Sequence, residues 1–229
     1  MSEVVLPGEP VNAKHPNLKL GPGVLQLLAG PIISTKAGTL CHNQNRSKWW
    51  VESNSRRYIP AAQEAVVGVV VGKNGAEGFR VGIGGPHNAN LDALAFEGAT
   101  KRNRPNLKVV GSLLYARVSL AHKDMEPELE CFDAQTRKSD GYGELKGGFV
   151  TGCSLKMCRQ LLDPKHFLLP LLGSKFPLDA AIGMNGRVWV NSKELRHVIA
   201  AVRCIERVDP EGENLDEKLV NAFLDTFDI

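Results

Sequence analysis

Short apolar runs broken by glycine and proline fill the first 58 residues of the chain. Residues 4–6 run into Pro7-Gly8, and residues 24–29 are bracketed by glycine-proline pairs. Such pairs mark turns, and no stretch here repeats its apolar residues at the helical period of 3.6. The pattern predicts a small N-terminal β domain over residues 1–58.

Five strand-like runs occupy the next region, residues 59–139. The first run is almost entirely β-branched, and the second alternates apolar residues with Arg80 and Gly82, as a strand does. Glycines fall where a small barrel has to bend. This spacing predicts a central five-stranded OB-type barrel. Its strands are predicted at residues 66–71, 79–83, 91–96, 113–121 and 129–132.

From Asp140 onward the pattern mixes helices and strands. Ser154 is placed to cap a helix over residues 155–162, and Asp163-Pro164 predicts the start of a second helix. Ser192 predicts the cap of a long amphipathic helix. The order β-α-α-β-β-α is typical of a KH-type α+β domain, here residues 140–229. The remaining elements are predicted as strands at residues 149–151, 176–182 and 187–190 and a helix at residues 214–227.

The most distinctive stretch, FEGATKRNRPN, occupies residues 96–106 between two barrel strands. It holds three cations close together, and its glycine, proline and asparagines predict a loop. A basic loop on an OB-type barrel is typical of single-stranded RNA binding, whereas a charge run alone more often marks solvated surface. The candidate RNA-binding residues are Lys101, Arg102, Arg104, Arg117, Lys123 and, as the aromatic best placed for base stacking, Tyr115.

A GxxG sequence, the element with which KH domains clamp nucleotide phosphates, occurs at residues 183–186. Here it lies between two predicted strands rather than two helices. Asn-Gly is also the preferred pair for a tight hairpin turn. We therefore interpret Gly183, Asn185 and Gly186 as a structural turn, and as a candidate for packing against the neighbouring domain.

Composition limits the partners and the chemistry. The net charge is +3 over 229 residues, so an anionic partner has to be met by a local patch. Five cysteines without zinc-ligand or disulfide-scaffold spacing predict reduced thiols in an intracellular protein, with no metal or cofactor site. No apolar run reaches the length of a membrane span, so no membrane partner is predicted.

An acidic run is the one feature that imitates a catalytic site. Asp124, Glu126 and Glu128 would suit a magnesium-dependent nuclease, but their single hairpin is not matched by carboxylates on another element. No catalytic residue is therefore predicted. A hydrolytic nuclease that uses this run is therefore the weakest hypothesis for the function of the chain.

Four segments closely resemble one family, the S1/KH cap subunits of the RNA exosome known as the exosome component three family. They are residues 5–9, FEGATKRNRPN, residues 123–128 and residues 183–190, and the likeness runs over essentially the whole chain. Gly183, Asn185 and Gly186 match the Gly-x-Asn-Gly signature of that family. Ser112 departs from it, since close relatives tend to carry aspartate there.

The resemblance implies an S1-type barrel, a divergent KH domain and an N-terminal β domain that docks on a ring. It implies a non-catalytic subunit, no cofactor, and RNase PH-like ring subunits, other S1/KH caps and single-stranded RNA as partners. The implied role is to stabilise the ring and guide RNA into its pore for 3′-to-5′ processing, in the nucleus, nucleolus and cytoplasm. The alternative from the residues alone is a free-standing single-stranded RNA-binding protein.

Overall fold

The chain forms two units, Met1–Ser55 and Arg56–Ile229. The computed structural model of the protein describes residues 3–28, 30–55, 57–75, 78–103, 110–122 and 124–227. Among these, no helix is both long enough and apolar enough to pass through a lipid bilayer.

The first unit is built from short strands, as predicted. β1, β5, β6 and β2 form one sheet in that order, and β3 pairs with β4 in a hairpin. Inward-facing valine, leucine and isoleucine side chains such as Val5, Leu40 and Val51 make its small core. The strands are β1 (Glu3–Val5), β2 (Lys19–Leu20), β3 (Val24–Gln26), β4 (Ile32–Ser34), β5 (Gly38–His42) and β6 (Lys48–Glu52).

The second unit begins with a closed barrel. β7, β8 and β9 are antiparallel, β9 pairs with β11 in parallel, and β11 and β7 both pair with β10, which closes the circle. β12 extends β10 at one end. The predicted five-stranded OB-type barrel is confirmed. Its strands are β7 (Ala65–Asn74), β8 (Gly78–Gly82), β9 (Ala89–Phe96), β10 (Leu113–Leu120), β11 (Glu128–Cys131) and β12 (Gly143–Leu145).

The barrel interior is filled by the alternate residues of these strands. Val66, Val81, Leu114 and Val118 are completely enclosed. Gly68 gives the close approach that such a barrel needs, because a Cβ atom there would overlap the side chain of Val81.

The rest of the second unit has the predicted order β-α-α-β-β-α, followed by one further helix. The three strands form a sheet in the order β13-β15-β14, and the helices cover it with a continuous apolar core that includes Met157, Leu172 and Ile205. The elements are β13 (Phe149–Gly152), α1 (Leu155–Leu162), α2 (Leu168–Lys175), β14 (Asp179–Gly183), β15 (Arg187–Asn191), α3 (Leu195–Val208), α4 (Glu217–Leu224) and a 3-10 turn (Asp225–Phe227).

Two predicted helix starts are wrong. Asp163 caps the end of α1, and its carboxylate accepts from the backbone N–H of Lys165 at 3.0 Å, so Asp163-Pro164 forms a turn. The second helix begins only at Leu168. Ser192 uses its hydroxyl to bond the carbonyl of Pro177 at 2.8 Å, and the residue at the N-cap of α3 is Glu194. Asp163 therefore bonds a backbone group two residues away, and Ser192 bonds one 15 residues away, instead of capping a helix.

Candidate nucleic-acid interface

The basic loop begins as a tight turn whose tip is exposed. The N–H of Thr100 donates to the carbonyl of Asn103 at 3.0 Å, and the N–H of Asn103 donates to the Thr100 hydroxyl at 3.0 Å. Lys101 and Arg102 lie between them, and both are exposed. The turn thus presents two adjacent cations to solvent, while Arg104 and Lys123 lie outside the described residues.

Arg117 is placed differently from the other predicted cations. It is 6% exposed, and its guanidinium donates to Gln63 Oε1 at 2.7 Å, to the carbonyl of Phe132 and to the carboxylate of Glu130. A buried arginine whose donors are already engaged has little left to offer a phosphate. This position argues against the predicted RNA contact at Arg117, since the residue ties β10 to β11.

Tyr115 belongs to the joint between the barrel and the KH domain. Its ring stacks on Tyr142 at 5.0 Å between centroids, and its hydroxyl donates to the carbonyl of Ile182 at 3.3 Å. Burial raises the pKa of Tyr115 to about 12. An aromatic ring that already stacks inside the protein is poorly placed to stack on a base, so the structure argues against the predicted role of Tyr115.

The raised pKa of Tyr115 makes a pH-dependent contribution to stability. A tyrosine whose folded pKa lies above its unfolded value of about 10 stabilises the fold below pH 10 and loses that contribution as the pH rises toward 12. We expect the free energy of unfolding of the wild-type chain at pH 8 to be about 1 kcal/mol higher than that of Tyr115→Phe. Urea titrations should show this difference shrinking above pH 10, and a constant difference up to pH 12 would contradict the assignment.

Asn185 connects the KH domain to the barrel. Its side chain is 8% exposed, and Nδ2 donates to the carbonyls of Val67 and Ile83, each at 2.8 Å. Its Oδ1 accepts from the N–H of Val67 at 3.2 Å. One amide therefore satisfies three backbone groups of the barrel strands, which an aliphatic side chain could not do.

The residues on either side of Asn185 strengthen the same joint. The N–H of Met184 donates to the carbonyl of Ala65 at 2.8 Å, and Arg187 donates to the carbonyl of Gly82 at 2.9 Å. A Cβ atom at Gly183 would come within 2.6 Å of the Val67 nitrogen, and Gly186 has a φ of +78°. Gly183 ends β14, and residues 184–186 form the turn to β15 that packs on the barrel. We call these contacts the S1–KH joint.

Sequence reasoning located this turn and named it as a candidate for packing against the neighbouring domain, but it did not identify the asparagine side chain as the group that makes the contact. Asn-Gly explains a hairpin with an exposed tip, whereas here the asparagine points inward to strand β7 and to Ile83 just beyond β8. The sequence gives no local signal for this contact, because the backbone groups that receive the amide belong to Val67 and Ile83, 118 and 102 positions earlier in the chain.

The acidic run lies at one end of the barrel and is partly engaged. Glu126 accepts from the side chain of Asn90 at 2.9 Å, and Asp124 lies 3.8 Å from His122. Within the part of the chain that the structure describes, no three or more His, Cys, Asp or Glu side chains are grouped so as to hold a metal ion.

Three family models match successive segments of the chain. "Exosome complex exonuclease Rrp40 N-terminal domain" matches residues 18–57, "Exosome complex component RRP40, S1 domain" matches residues 58–143, and "KH domain" matches residues 148–196. The order of these matches follows the strands, the barrel and the KH elements described above, and the KH match ends near the start of α3.

Full-length relatives give the same result. The exosome complex component rrp40 of Schizosaccharomyces pombe is 49% identical over 204 residues, which cover 86% of this chain and 84% of the relative. The RRP40 proteins of Saccharomyces cerevisiae and Homo sapiens are 36% and 34% identical, cover 90% of this chain each, and are themselves covered to 88% and 84%. The chain belongs to the RRP40 family of exosome complex components.

The RRP40 assignment confirms the resemblance inferred from the four sequence segments. A solved structure described as "Crystal structure of putative exosome complex RNA-binding protein" superposes with a TM-score of 0.60 over 75% of this chain and 95% of its own. At 22% identity that structure supports the fold alone. In this RRP40 chain the S1 and KH domains are joined through residues 183–187.

Proposed function

We propose that this RRP40-family chain is a non-catalytic subunit of the RNA exosome that stabilises a ring of RNase PH-like subunits and guides single-stranded RNA into its pore. The observation that carries the proposal is the S1–KH joint. Asn185 and its neighbours commit the turn between β14 and β15 to the barrel, so this Gly-x-Asn-Gly element makes a structural contact and is not a phosphate clamp. A rigid S1–KH body suits a scaffold better than an independent RNA reader.

Guidance of RNA is assigned to the exposed turn at Lys101 and Arg102. Two neighbouring cations attract phosphates without reading bases, which suits a subunit that must pass RNA of any sequence. The half-buried pair Tyr115 and Tyr142 is consistent with weak sequence preference, because the two rings already stack on each other.

Docking on the ring is assigned to the first unit, whose small core leaves large apolar side chains outside. Val4 and Leu27 are 72% and 60% exposed, and Leu28 is fully exposed with a positive φ. Exposed apolar surface on so small a domain is typical of a permanent subunit interface. The partners we propose are RNase PH-like ring subunits and the other S1/KH caps.

Affinity purification of the tagged chain from its own cells tests the assembly. We expect recovery of RNase PH-like proteins and further S1/KH proteins in moderate salt. Recovery of the chain alone, or with RNA only, would favour the alternative, a free-standing single-stranded RNA-binding protein. That alternative also requires tight, salt-dependent RNA binding by the isolated chain.

Fluorescence microscopy of the same tagged chain tests the proposed residence in nucleus, nucleolus and cytoplasm.

The double variant Lys101→Glu, Arg102→Glu tests the guiding role. We expect the assembled complex to lose roughly tenfold or more of its RNA affinity near 0.1 M salt, with a shallower salt dependence, because phosphate contacts are replaced by repulsion. Protein partners should be recovered as with the wild type. Filter binding and nuclease protection of the RNA measure the effect.

A matched control has the same change of charge elsewhere. Lys193→Glu with Arg196→Glu alters two exposed residues at the start of α3, where negative charge is tolerated. This control should keep near wild-type RNA affinity. Equal losses in both double variants would show that overall charge, and not the turn, governs RNA binding.

A further inference from the structure

Two of the five cysteines touch each other where the first KH helix begins. Cys153 follows β13, Cys158 lies in α1, and their Sγ atoms are 3.3 Å apart. A disulfide bond is about 2.05 Å long, so the two sulfurs need to approach by only about 1 Å more. The other three cysteines, Cys41, Cys131 and Cys204, show no such contact.

The contact is a hydrogen bond between the two thiols. Donation from Cys153 lowers the pKa of Cys158, while the same bond, together with burial, raises the pKa of Cys153. Such a pair loses its first proton more readily than an isolated thiol and then shares the remaining one. A thiolate is therefore held against a thiol, which is the arrangement that thiol–disulfide exchange requires.

One of the two sulfurs can be reached from solvent. Cys153 is half-buried and lines a cleft of about 420 Å³ together with Ser154, Gly186 and Asp209, whereas Cys158 is completely enclosed. The Asp209 carboxylate accepts from the N–H of Ser154 at 2.6 Å, which fixes negative charge beside the cleft. Anionic reagents are thus repelled from Cys153, and neutral or cationic ones are not.

We propose that Cys153 and Cys158 form a reversible dithiol–disulfide site that reacts with small neutral or cationic disulfides entering this cleft. The pair begins with Cys158 as the thiolate and Cys153 as the thiol; Cys153 passes its proton to Cys158 along the hydrogen bond, and the resulting Cys153 thiolate attacks the small disulfide. A mixed disulfide forms and one small thiolate leaves. Cys158 then attacks the Cys153 sulfur and gives its proton to the second leaving group. One protein thiol and one protein thiolate are thus oxidised to a disulfide, and one small disulfide is reduced to a thiol and a thiolate.

The site adjoins the S1–KH joint. The N–H of Cys153 donates to the carbonyl of Gly186 at 2.9 Å, and Gly186 is the residue after Asn185. Oxidation would therefore add a covalent link between the end of β13 and α1 at the edge of the joint. In a reducing compartment such a disulfide is transient and responds to redox conditions.

Peptide mapping of the oxidised full-length chain tests the site. The reduced chain is treated with cystamine, a cationic disulfide, at pH 8, then alkylated in denaturant and cut with trypsin. Cleavage after Lys146, Lys156 and Arg159 places the two cysteines in separate peptides, residues 147–156 and 157–159. We expect these two peptides joined by a disulfide, formed faster with cystamine than with the anionic oxidised glutathione.

Variants separate the two steps. In Cys158→Ser the mixed disulfide on Cys153 should persist at least about tenfold longer than in the wild type, because the neighbouring attacking thiol is gone. In Cys153→Ser the enclosed Cys158 should stay unreacted.

Half-exposed Cys41 provides the internal reference, since it should stop at the mixed disulfide. A stable mixed disulfide on Cys153 of the wild type, or no reaction there while Cys41 reacts, would overturn the proposal whether or not the variants fold.

Discussion

Replacing Asn185 with alanine is expected to lower the free energy of unfolding of the second unit by about 3 kcal/mol or more. The substitution leaves the N–H and carbonyl of Val67 and the carbonyl of Ile83 without the partner that now satisfies them. The side chain is 8% exposed and borders the cleft at Cys153, so the variant exchanges three buried hydrogen bonds for, at most, bonds to water in that cleft. Hydrogen exchange followed by mass spectrometry measures the loss in barrel and KH peptides separately from the first unit.

Two further variants make the Asn185 prediction specific. Asn74→Ala removes an exposed amide that bonds Asn90 at 3.0 Å, and we expect it to change stability by less than about 0.5 kcal/mol. Asn185→Asp keeps the acceptor but turns a carboxylate toward two carbonyls. That variant should be less stable at pH 7 than at pH 4, because protonation restores a donor. If Asn185→Ala behaved like Asn74→Ala, the joint would not be the main contact between the two domains.

The second large effect is expected at Gly183. A Cβ atom in Gly183→Ala would lie 2.6 Å from the Val67 nitrogen and would also overlap Asn185 Oδ1, so β14 and β7 must separate. Overpacking and the lost hydrogen bonds together should cost about 3 kcal/mol or more. Hydrogen exchange of the residue 65–74 region, or a fall in the urea midpoint, measures it.

A glycine in the same sheet provides the control for Gly183. A Cβ atom at Gly152 would meet nothing closer than 4.0 Å, so Gly152→Ala should be nearly neutral. The double variant Gly183→Ala, Asn185→Ala should lose less than the sum of the two single losses, because removing the amide relieves one of the two overlaps. Strictly additive losses would mean that the two residues act independently.

The barrel and the KH order could be predicted from the sequence because each depends on local patterns. Val66 to Val71 is a β-branched run between turn signals, and Ser154 caps α1 with the expected bond to the N–H of Met157 at 3.0 Å. The starts of α2 and α3 could not be predicted in the same way. Asp163 and Ser192 have side chains that can cap a helix, but Asp163 accepts from the N–H of Lys165 and Ser192 donates to the carbonyl of Pro177.

The candidate site was predictable only in its exposed part. The exposure of Lys101 and Arg102 follows from a short polar turn, which the sequence displays directly. The positions of Arg117 and Tyr115 depend on partners far along the chain. Arg117 bonds Gln63, 54 residues away, and Tyr115 bonds Ile182, 67 residues away. The sequence pattern does not show which distant residues pair in the fold, so it cannot distinguish a buried arginine from an exposed one.

The joint at Asn185 also sets the order in which the chain can reach its final state during synthesis. The five barrel strands are complete by Cys131, yet Val67 and Ile83 receive their amide partner from a residue 118 and 102 positions later, respectively. A nascent barrel therefore has to leave three backbone groups hydrated until the KH turn is made. Ribosome-bound chains that stop before residue 185 should show a looser β7 than those that extend beyond it.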